Sequence, residues 1–537
     1  MKVIEVVYTW PAETFIQRHV LALREIGLDV RLIARQRTTF QQSWASIGEE
    51  RRDIPALVMP NFDHLGLLSK CWSLRYLLLR PNRISGRLVL RNRVLLAFFE
   101  HMKPDLIHFH TATLAAMMRW IPQTLGIPYT VSLRGSDVQV MPLRDKWLAQ
   151  EIGITLREAA GVHVISQHLI GYAKRWAGEH IKPRLIYTLI PIPHALPPLS
   201  PQRADSLRFV TVGRLHWTKS YPDLLKAMRG LIDQGLKTHL TLVGNGPDEH
   251  RIRYWVKRLG LDDCVTFSGK VPWEQVVAFL RNSDAYISSS MAEGFGNTIA
   301  EAMAWGCPVF ATDSCGIREV IVDGVSGFLL PALQPDVWVD KLALAQDRAL
   351  MQRVRVAAYE TARQLFDPRR HAESFIAFYE DALRRKLNST ASETAGAHCV
   401  KFPPNEVSLK EPFLLVLGEW RWENGSDLVL RALAPLCREG RLRVVFMGYG
   451  PQEDELRYLV DFLGLSGQVW IVAIEPEAKV LMQEWTAKAE TVLDISEAQT
   501  QGWRLIQNNK LLATVSFADE EGLKNVLRSV EGEKFIT

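Results

Sequence analysis

Glu293-Gly-Phe-Gly-Asn-Thr-Ile-Ala-Glu301 follows a short apolar run at 285–288 and opens a helical pattern. Gly294 and Gly296 carry no side-chain bulk, so main-chain N–H groups there can approach a ligand closely, and a helix N-terminus favours anionic oxygens. A single loop glutamate reads as a helix cap and a single helical one as a solvated face. Two glutamates bracketing a glycine loop at a strand end are a different signal. They can grip hydroxyl groups on either side of a phosphorylated ligand.

Outward from that loop, the pattern is rhythmic. Apolar runs at 209–212, 239–243, 265–268, 285–288 and 308–311 alternate with helical patterns at 222–234, 248–259, 273–281 and 298–305. Upstream, runs at 3–7, 30–34, 106–110, 129–133 and 162–165 repeat the theme, and a Pro-rich stretch at 190–201 separates the two sets. Strands spaced by helix-length segments predict parallel sheets covered on both faces, hence two doubly wound units with a cleft between them. Ligands in such sheets gather at the carboxyl ends of the strands. Gly213-Arg214 lies at such an end, and Lys219 on the turn that follows it. Two cations there suit a diphosphate, or are simply a solvated turn.

The whole chain narrows the class. Its 537 residues suit about three domains, and 47 % hydrophobic with 23 % charged residues is ordinary for a soluble globular protein. A net charge of +5 is small for this length and does not imply nucleic-acid binding. Six cysteines without a CxxC spacing argue against a disulfide framework or a zinc site. No apolar stretch approaches the ~20 residues that span a bilayer, and Glu5 interrupts the apolar N-terminal run, which reads as a strand. A cytoplasmic location is expected. Between Asp63 and Glu100 there is no acidic residue; the segment from Lys70 to Arg93 mixes Trp72, Tyr76 and leucines with Arg75, Arg80 and Arg83. It suits either an anionic membrane surface or a solvated amphipathic helix packed on the first domain.

Beyond a Ser/Thr/Pro-rich stretch, the tail echoes the middle unit. Phe413-Leu-Leu-Val-Leu-Gly418-Glu-Trp-Arg-Trp422 matches Phe209-Val-Thr-Val-Gly213-Arg-Leu-His-Trp217, Gly448-Tyr-Gly-Pro451 matches Gly244-Asn-Gly-Pro247, and Leu463-Gly-Leu465 matches Leu259-Gly-Leu261. Aligned on these, Glu419 replaces Arg214 and Asn424 replaces Lys219, while Gln499 and Gln507 fall on Glu293 and Glu301. A glutamate at a phosphate clamp repels the ligand. The tail therefore reads as a duplicated unit without its chemistry.

Taken together, Val212-Gly-Arg-Leu-His-Trp-Thr-Lys219, Gly244-Asn-Gly-Pro247, the Glu293/Glu301 loop, Ala311-Thr-Asp-Ser-Cys-Gly-Ile-Arg-Glu319 and Val322-Asp-Gly-Val-Ser-Gly-Phe328 resemble the retaining glycosyltransferases of group 1 (family 4). The resemblance implies the GT-B fold: an α/β chain with two facing Rossmann-like domains, here followed by a third, degenerate Rossmann-like unit. The expected organisation is an acceptor domain at 1–200, a nucleotide-sugar donor domain at 201–364, a crossover helix at 365–386 returning to the first domain, a linker at 387–410 and the degenerate repeat at 411–537. It further implies that Arg214, Lys219 and Glu293 carry catalysis. Gly213, Gly294, Phe295, Gly296, Asn297, Glu301 and Glu319 would bind the donor, Glu301 through the ribose. No cofactor and no metal ion are expected, because fixed cations take the part of one.

The first domain matches less completely. Glu13, His110, Arg134 and Asp137 are the cleft or acceptor candidates, in Pro11-Ala-Glu-Thr-Phe-Ile16, Asp105-Leu-Ile-His-Phe-His110 and Arg134-Gly-Ser-Asp137. His110 suits the cleft or a satisfied buried position. The family usually carries histidine where Arg134 stands. Arginine stays charged, so it suits a donor phosphate or an anionic acceptor but not a proton relay. The expected reaction is sugar transfer from a nucleotide-sugar to a cell-surface polysaccharide or lipid-linked precursor, on the inner face of the membrane. The alternatives are a small soluble acceptor and a non-catalytic nucleotide-sugar-binding scaffold; nucleic acid is not an expected partner.

Overall fold

Val3, Ile4, Val6 and Val7 make the first strand, β1 (Lys2–Trp10), apolar on both faces. Such a strand needs a layer on each side, and it lies inside a seven-stranded, wholly parallel sheet. The order is β3 (Ala56–Val58), β2 (Asp29–Arg37), β1, β4 (Leu106–Phe109), β5 (Tyr129–Leu133), β6 (Gly161–Val164) and β7 (Arg184–Leu185). The structure is a computed structural model. It describes residues 1–10, 12–37, 56–58, 95–198, 206–388, 413–475, 478–489, 491–496, 502–507, 510–515, 522–523 and 525. The basic segment 70–93 and its membrane reading lie outside the described residues, as does residue 499 of the tail alignment. Contacts divide the chain into two units, 1–138 with 150–398 and 139–149 with 399–537.

The first unit holds two sheets. The second is also wholly parallel: β8 (Leu207–Val212), β9 (Thr238–Val243), β10 (Val265–Gly269), β11 (Ala285–Ser288), β12 (Val309–Thr312) and β13 (Phe328–Leu330), in the order β10-β9-β8-β11-β12-β13. The order reverses between β8 and β11, and a crevice opens at their carboxyl ends. Gly213 leaves β8 there and the glycine loop leaves β11. The long helix Pro368–Asn388 returns to the first sheet. Its Ala372, Phe375, Phe378, Tyr379 and Ala382 are buried in one core with Val3, Val7, Leu23 and Leu106. At about 1.5–3 kcal/mol for each large apolar side chain buried, this face alone holds the helix on the first domain.

The second unit repeats the first four strands of the donor sheet and then departs. Its order is β16 (Val469–Ala473), β15 (Val444–Tyr449), β14 (Leu414–Glu419), β17 (Thr491–Asp494), β18 (Trp503–Gln507) and β19 (Lys510–Val515), with β17–β18 and β18–β19 antiparallel. Where the donor domain places a helix after its glycine loop, the tail places a strand. Trp503 and Leu505 are buried and alternate with Arg504, and this period of two belongs to a half-buried strand. Gln507 therefore ends a strand and has no structural counterpart in Glu301, which lies on a helix. Among the described residues no helix is long and apolar enough to cross a membrane.

Candidate active site

Glycine permits the close packing of loops at the mouth of the second sheet. A Cβ on Gly244 would lie 1.9 Å from the Gly213 carbonyl, and one on Gly246 2.0 Å from the Leu215 carbonyl. The loops after β8 and β9 thus touch main chain to main chain, and the turn Trp217–Lys219 brings Lys219 back over Gly213. Lys219 Nζ donates to Glu293 Oε2. The two side chains that the sequence places on a diphosphate and on a sugar are therefore paired with each other. Arg214 is exposed and makes no side-chain ion pair among the described residues. Partial desolvation still lowers its pKa from the ordinary value, and Asp248 opposes the shift.

A residue that sequence reading passed over sits among these cations. Burial first, then Arg214, Lys219 and Arg251, holds His216 at about 3, so its ring is neutral. No periodicity marks His216; its place between Arg214 and Lys219 was the available clue.

Gly296 adopts φ +88° and starts the helix Asn297–Ala304. Gly294 has a different reason for lacking a side chain. A Cβ there would lie 2.0 Å from the carbonyl of Arg134 and 3.1 Å from Ile165 Cδ1, both in the first domain. Its carbonyl also accepts from Ser166 Oγ at 2.6 Å. Phe295 is buried against Tyr187 and Phe366, so only its main chain can meet a ligand. Asn297 Oδ1 is buried with no hydrogen-bond partner among the described residues, an acceptor open to a hydroxyl.

Both remaining carboxylates reach across to the first domain. Glu301 Oε1 lies 3.1 Å from Arg18 Nη1, and the Arg18 guanidinium stands 4.8 Å over the ring of Trp273. Burial raises the Glu301 pKa, and Arg18 opposes the shift. Glu319 accepts from the main-chain N–H of Gln167 at 2.7 Å and of His168 at 2.9 Å, and from Tyr187 Oη at 3.4 Å. It caps the helix His168–Ala177 from the other domain, where the N-terminal partial charge favours a carboxylate.

In the first domain, Asp137 accepts from the N–H groups of Ala112 (2.8 Å), Gly135 (2.9 Å) and Arg134 (3.1 Å), tying two loops together. Burial raises its pKa, and those N–H groups oppose the rise. Glu13 precedes the helix Thr14–Glu25 without a side-chain cap bond. His110 belongs to a buried cluster with Glu5, His19, His371 and Tyr379, whose hydrogen bonds have one consistent polarity. The Tyr187 carbonyl accepts from His371 Nδ1 (2.9 Å), so His371 Nε2 accepts from His19 Nδ1 (2.9 Å). His19 Nε2 then donates to Glu5 Oε1 (2.9 Å). Arg134 donates to His110 Nδ1 (2.9 Å), whose Nε2–H goes to Glu5 Oε2 (2.9 Å); Tyr379 also donates to Glu5 (3.0 Å).

The ionisation shifts follow. Burial holds His110 at about 4, and burial with His19 holds His371 at about 3. Burial alone would raise Glu5, but His19 and His110 hold it well below the ordinary value. Glu5, His19 and His110 offer ligand atoms within 4.8 Å of one another, close enough for a metal ion. The polarity does not suit one: a metal on His110 Nε2 would need a hydrogen on Nδ1, which faces the Arg134 N–H. In sequence the cluster showed only as His110 and as a glutamate inside an apolar strand; nothing marked His19, His371 or Tyr379.

The profile of the group 1 glycosyl transferases matches residues 200–362, and that of the glycosyl transferase 4-like domain residues 12–187. The chain is a group 1 glycosyltransferase. Relatives of this glycosyltransferase include the N-acetyl-alpha-D-glucosaminyl L-malate synthase of Bacillus anthracis, 26% identical over 295 residues, or 53% of this chain and 76% of the relative. The D-inositol 3-phosphate glycosyltransferase of Saccharomonospora viridis is 31% identical over 204 residues, or 36% of this chain and 46% of that one. Among solved structures, Anabaena HepE in complex with UDP superposes with a TM-score of 0.55 at 18% identity, covering 71% of this chain and 100% of HepE. That likeness is one of fold. Both expected Rossmann-like domains and the GT-B architecture of this glycosyltransferase are present.

The tail treats the equivalent positions differently. Glu419 pairs with Arg421 beside it. Trp503, fully buried, donates from its indole to the carbonyl of Asn424 at 3.0 Å, on the turn aligned with the one bearing Lys219.

Proposed function

We propose that the protein is a retaining, metal-independent glycosyltransferase whose donor is a nucleotide-sugar held in the crevice between β8 and β11. In this reading Arg214 and Lys219 receive the diphosphate, Gly213 lets it approach, and Glu301 grips the ribose. Glu293, Asn297 and the main chain of Phe295 and Gly296 meet the transferred sugar, while Glu319 fixes the first domain against the donor domain. The supporting observation is the meeting of the loop after β8, which carries Arg214 and Lys219, with the glycine loop after β11, made by the Lys219–Glu293 pair. Breaking the anomeric bond delivers negative charge to the diphosphate, and preplaced cations oppose it without reorganising. The acceptor is a surface polysaccharide or lipid-linked precursor, with 70–93 as the contact with an anionic membrane. A second reading, a small soluble acid as acceptor, draws on the malate and inositol 3-phosphate in the relatives' names. The tail is catalytically inert.

Titration of the full chain with UDP, GDP and ADP tests the donor. Arg214→Ala is expected to lower kcat by roughly 10²–10³-fold, comparable to losing an oxyanion donor. Chelation should leave turnover unchanged, and the product's anomeric coupling should match the donor's. Turnover of Arg214→Ala within about threefold of the wild type would remove the central role given to that residue.

A further inference from the structure

Arg134 is charged and partly buried, and forms no ion pair among the described residues. Its Nε is wholly buried and has no hydrogen-bond partner among the described residues. One terminal nitrogen donates to His110 Nδ1, a neutral acceptor, and the guanidinium stands 5.0 Å over the ring of Phe15. The carboxylates whose charge it senses are Asp137, Glu13 and Glu5, and none forms an ion pair with it among the described residues. Asp137 is taken up by three main-chain N–H groups, and Glu5 by His19, His110 and Tyr379. Burial accordingly lowers the Arg134 pKa to about 10.

A guanidinium removed from water without a carboxylate is costly, and a structure keeps one where something else supplies the negative charge. Its position says where that charge arrives. Arg134 follows β5, His110 follows β4, and Phe15 opens the helix after β1, so the guanidinium sits at the carboxyl ends of three adjacent central strands of the first sheet. Its own carbonyl abuts Gly294 of the donor domain's glycine loop. The reacting sugar, the acceptor and this cation therefore share one region of the cleft.

We propose that Arg134 is an anion subsite, separate from the diphosphate clamp, and that one of the two sugars joined here carries a carboxylate or phosphate. The inference rests on the reading of the crevice as a nucleotide-sugar site. The anion belongs either to the transferred sugar, as in a hexuronate, or to the acceptor, as in a sugar phosphate. Arginine suits both through its paired N–H donors.

Calorimetric titration of the full chain separates the cases. The nucleoside diphosphate that binds (UDP, GDP or ADP) is compared with its glucose and glucuronate esters; these differ at one carbon, as alcohol or carboxylate. The diphosphate-saturated protein is then titrated with inositol and with inositol 3-phosphate. In one arm the acidic partner is expected to bind at least tenfold tighter, with a preference that shrinks as salt is raised. Arg134→Gln, whose amide can still donate to His110, should reduce that preference to under threefold and leave the bare diphosphate within twofold. Equal binding of acidic and neutral partners in both arms overturns the proposal, as does a preference that survives in Arg134→Gln. An equal loss for the bare diphosphate overturns it too, since Arg134 would then belong to the clamp. The wild-type preference and its salt dependence need no variant. If no nucleoside diphosphate binds the wild type, the donor reading itself fails first.

Discussion

Acidification should loosen the first domain steeply. His110, His371, His108 and His163 are all buried and neutral in the folded chain. Hydrogen bonding fixes the last two as well. His163 donates to the Ile186 carbonyl at 2.8 Å and accepts from Ser132 Oγ at 2.7 Å; Ser132 accepts from His108 at 2.8 Å, and His108 accepts from Thr130 at 2.8 Å. A further proton on any of them must break one of these bonds. In the unfolded chain each titrates near 6.5, so the unfolded state binds more protons as pH falls and stability drops. The loss starts at about 6.5 and ends only below the folded values near 4 and 3.

From pH 7.5 to 5.5 each such group costs about 1.4 kcal/mol, hence roughly 5 kcal/mol for four. Glu5 keeps its charge throughout this window, since its stabilisation is lost only as pH falls through its depressed folded pKa. Hydrogen exchange resolved on peptides covering Leu106–Phe109 and Gly161–Val164, corrected for the intrinsic rate, reads this domain apart from the tail. Protection that falls by under about 1 kcal/mol over those two pH units would refute the neutral-histidine bookkeeping.

Gly294→Ala places a methyl group on the Arg134 carbonyl, so it should cost about 1–3 kcal/mol of stability by thermal melting and lower kcat/KM as the domains part. Arg18→Ala combined with Glu301→Gln in a double-mutant cycle should give a coupling of about 1–2 kcal/mol in unfolding; additivity would deny the cross-domain pair. Trp503→Ala should open a cavity worth about 3–5 kcal/mol and melt the tail early, while kcat stays that of the wild type.

What the sequence disclosed was local. The glycine loop, the strand-end Gly213, the cations at 214 and 219 and the repeat in the tail are readable because each rests on neighbouring residues and a fixed period. Contacts set by tertiary closeness were not. Arg18 and Glu301 are 283 positions apart, Glu319 and Gln167 152. Nothing local marks such pairs. Gly294 was singled out for a ligand; its closeness to the Arg134 carbonyl could not be read from its neighbours in sequence. The equation of Gln507 with Glu301 carried a helical step into a segment whose alternation makes a strand.

The pairing of Lys219 with Glu293 governs how variants at this site are to be read. Both side chains are only about one-fifth exposed, so removing the lysine alone strands a desolvated carboxylate as well as deleting a cation. Lys219→Ala will therefore overstate the contribution of Lys219 to leaving-group stabilisation. Part of its effect is repulsion between the unpaired Glu293 and the incoming diphosphate. Lys219→Ala with Glu293→Gln removes both terms, and the difference between single and double variants isolates the repulsion. Among the described residues Arg214 has no such partner, and it is the cleaner measure of what a fixed cation does in the proposed site. A ligand entering the crevice also has to exchange rather than merely add contacts. In the proposed binding mode it must take Lys219 from Glu293 and meet Glu301 beside Arg18, so its measured affinity is the difference between the new bonds and the old. For that reason a bare nucleoside diphosphate that disrupts the pair without a sugar to satisfy Glu293 should bind less tightly than its sugar ester, even though the ester carries one charge fewer.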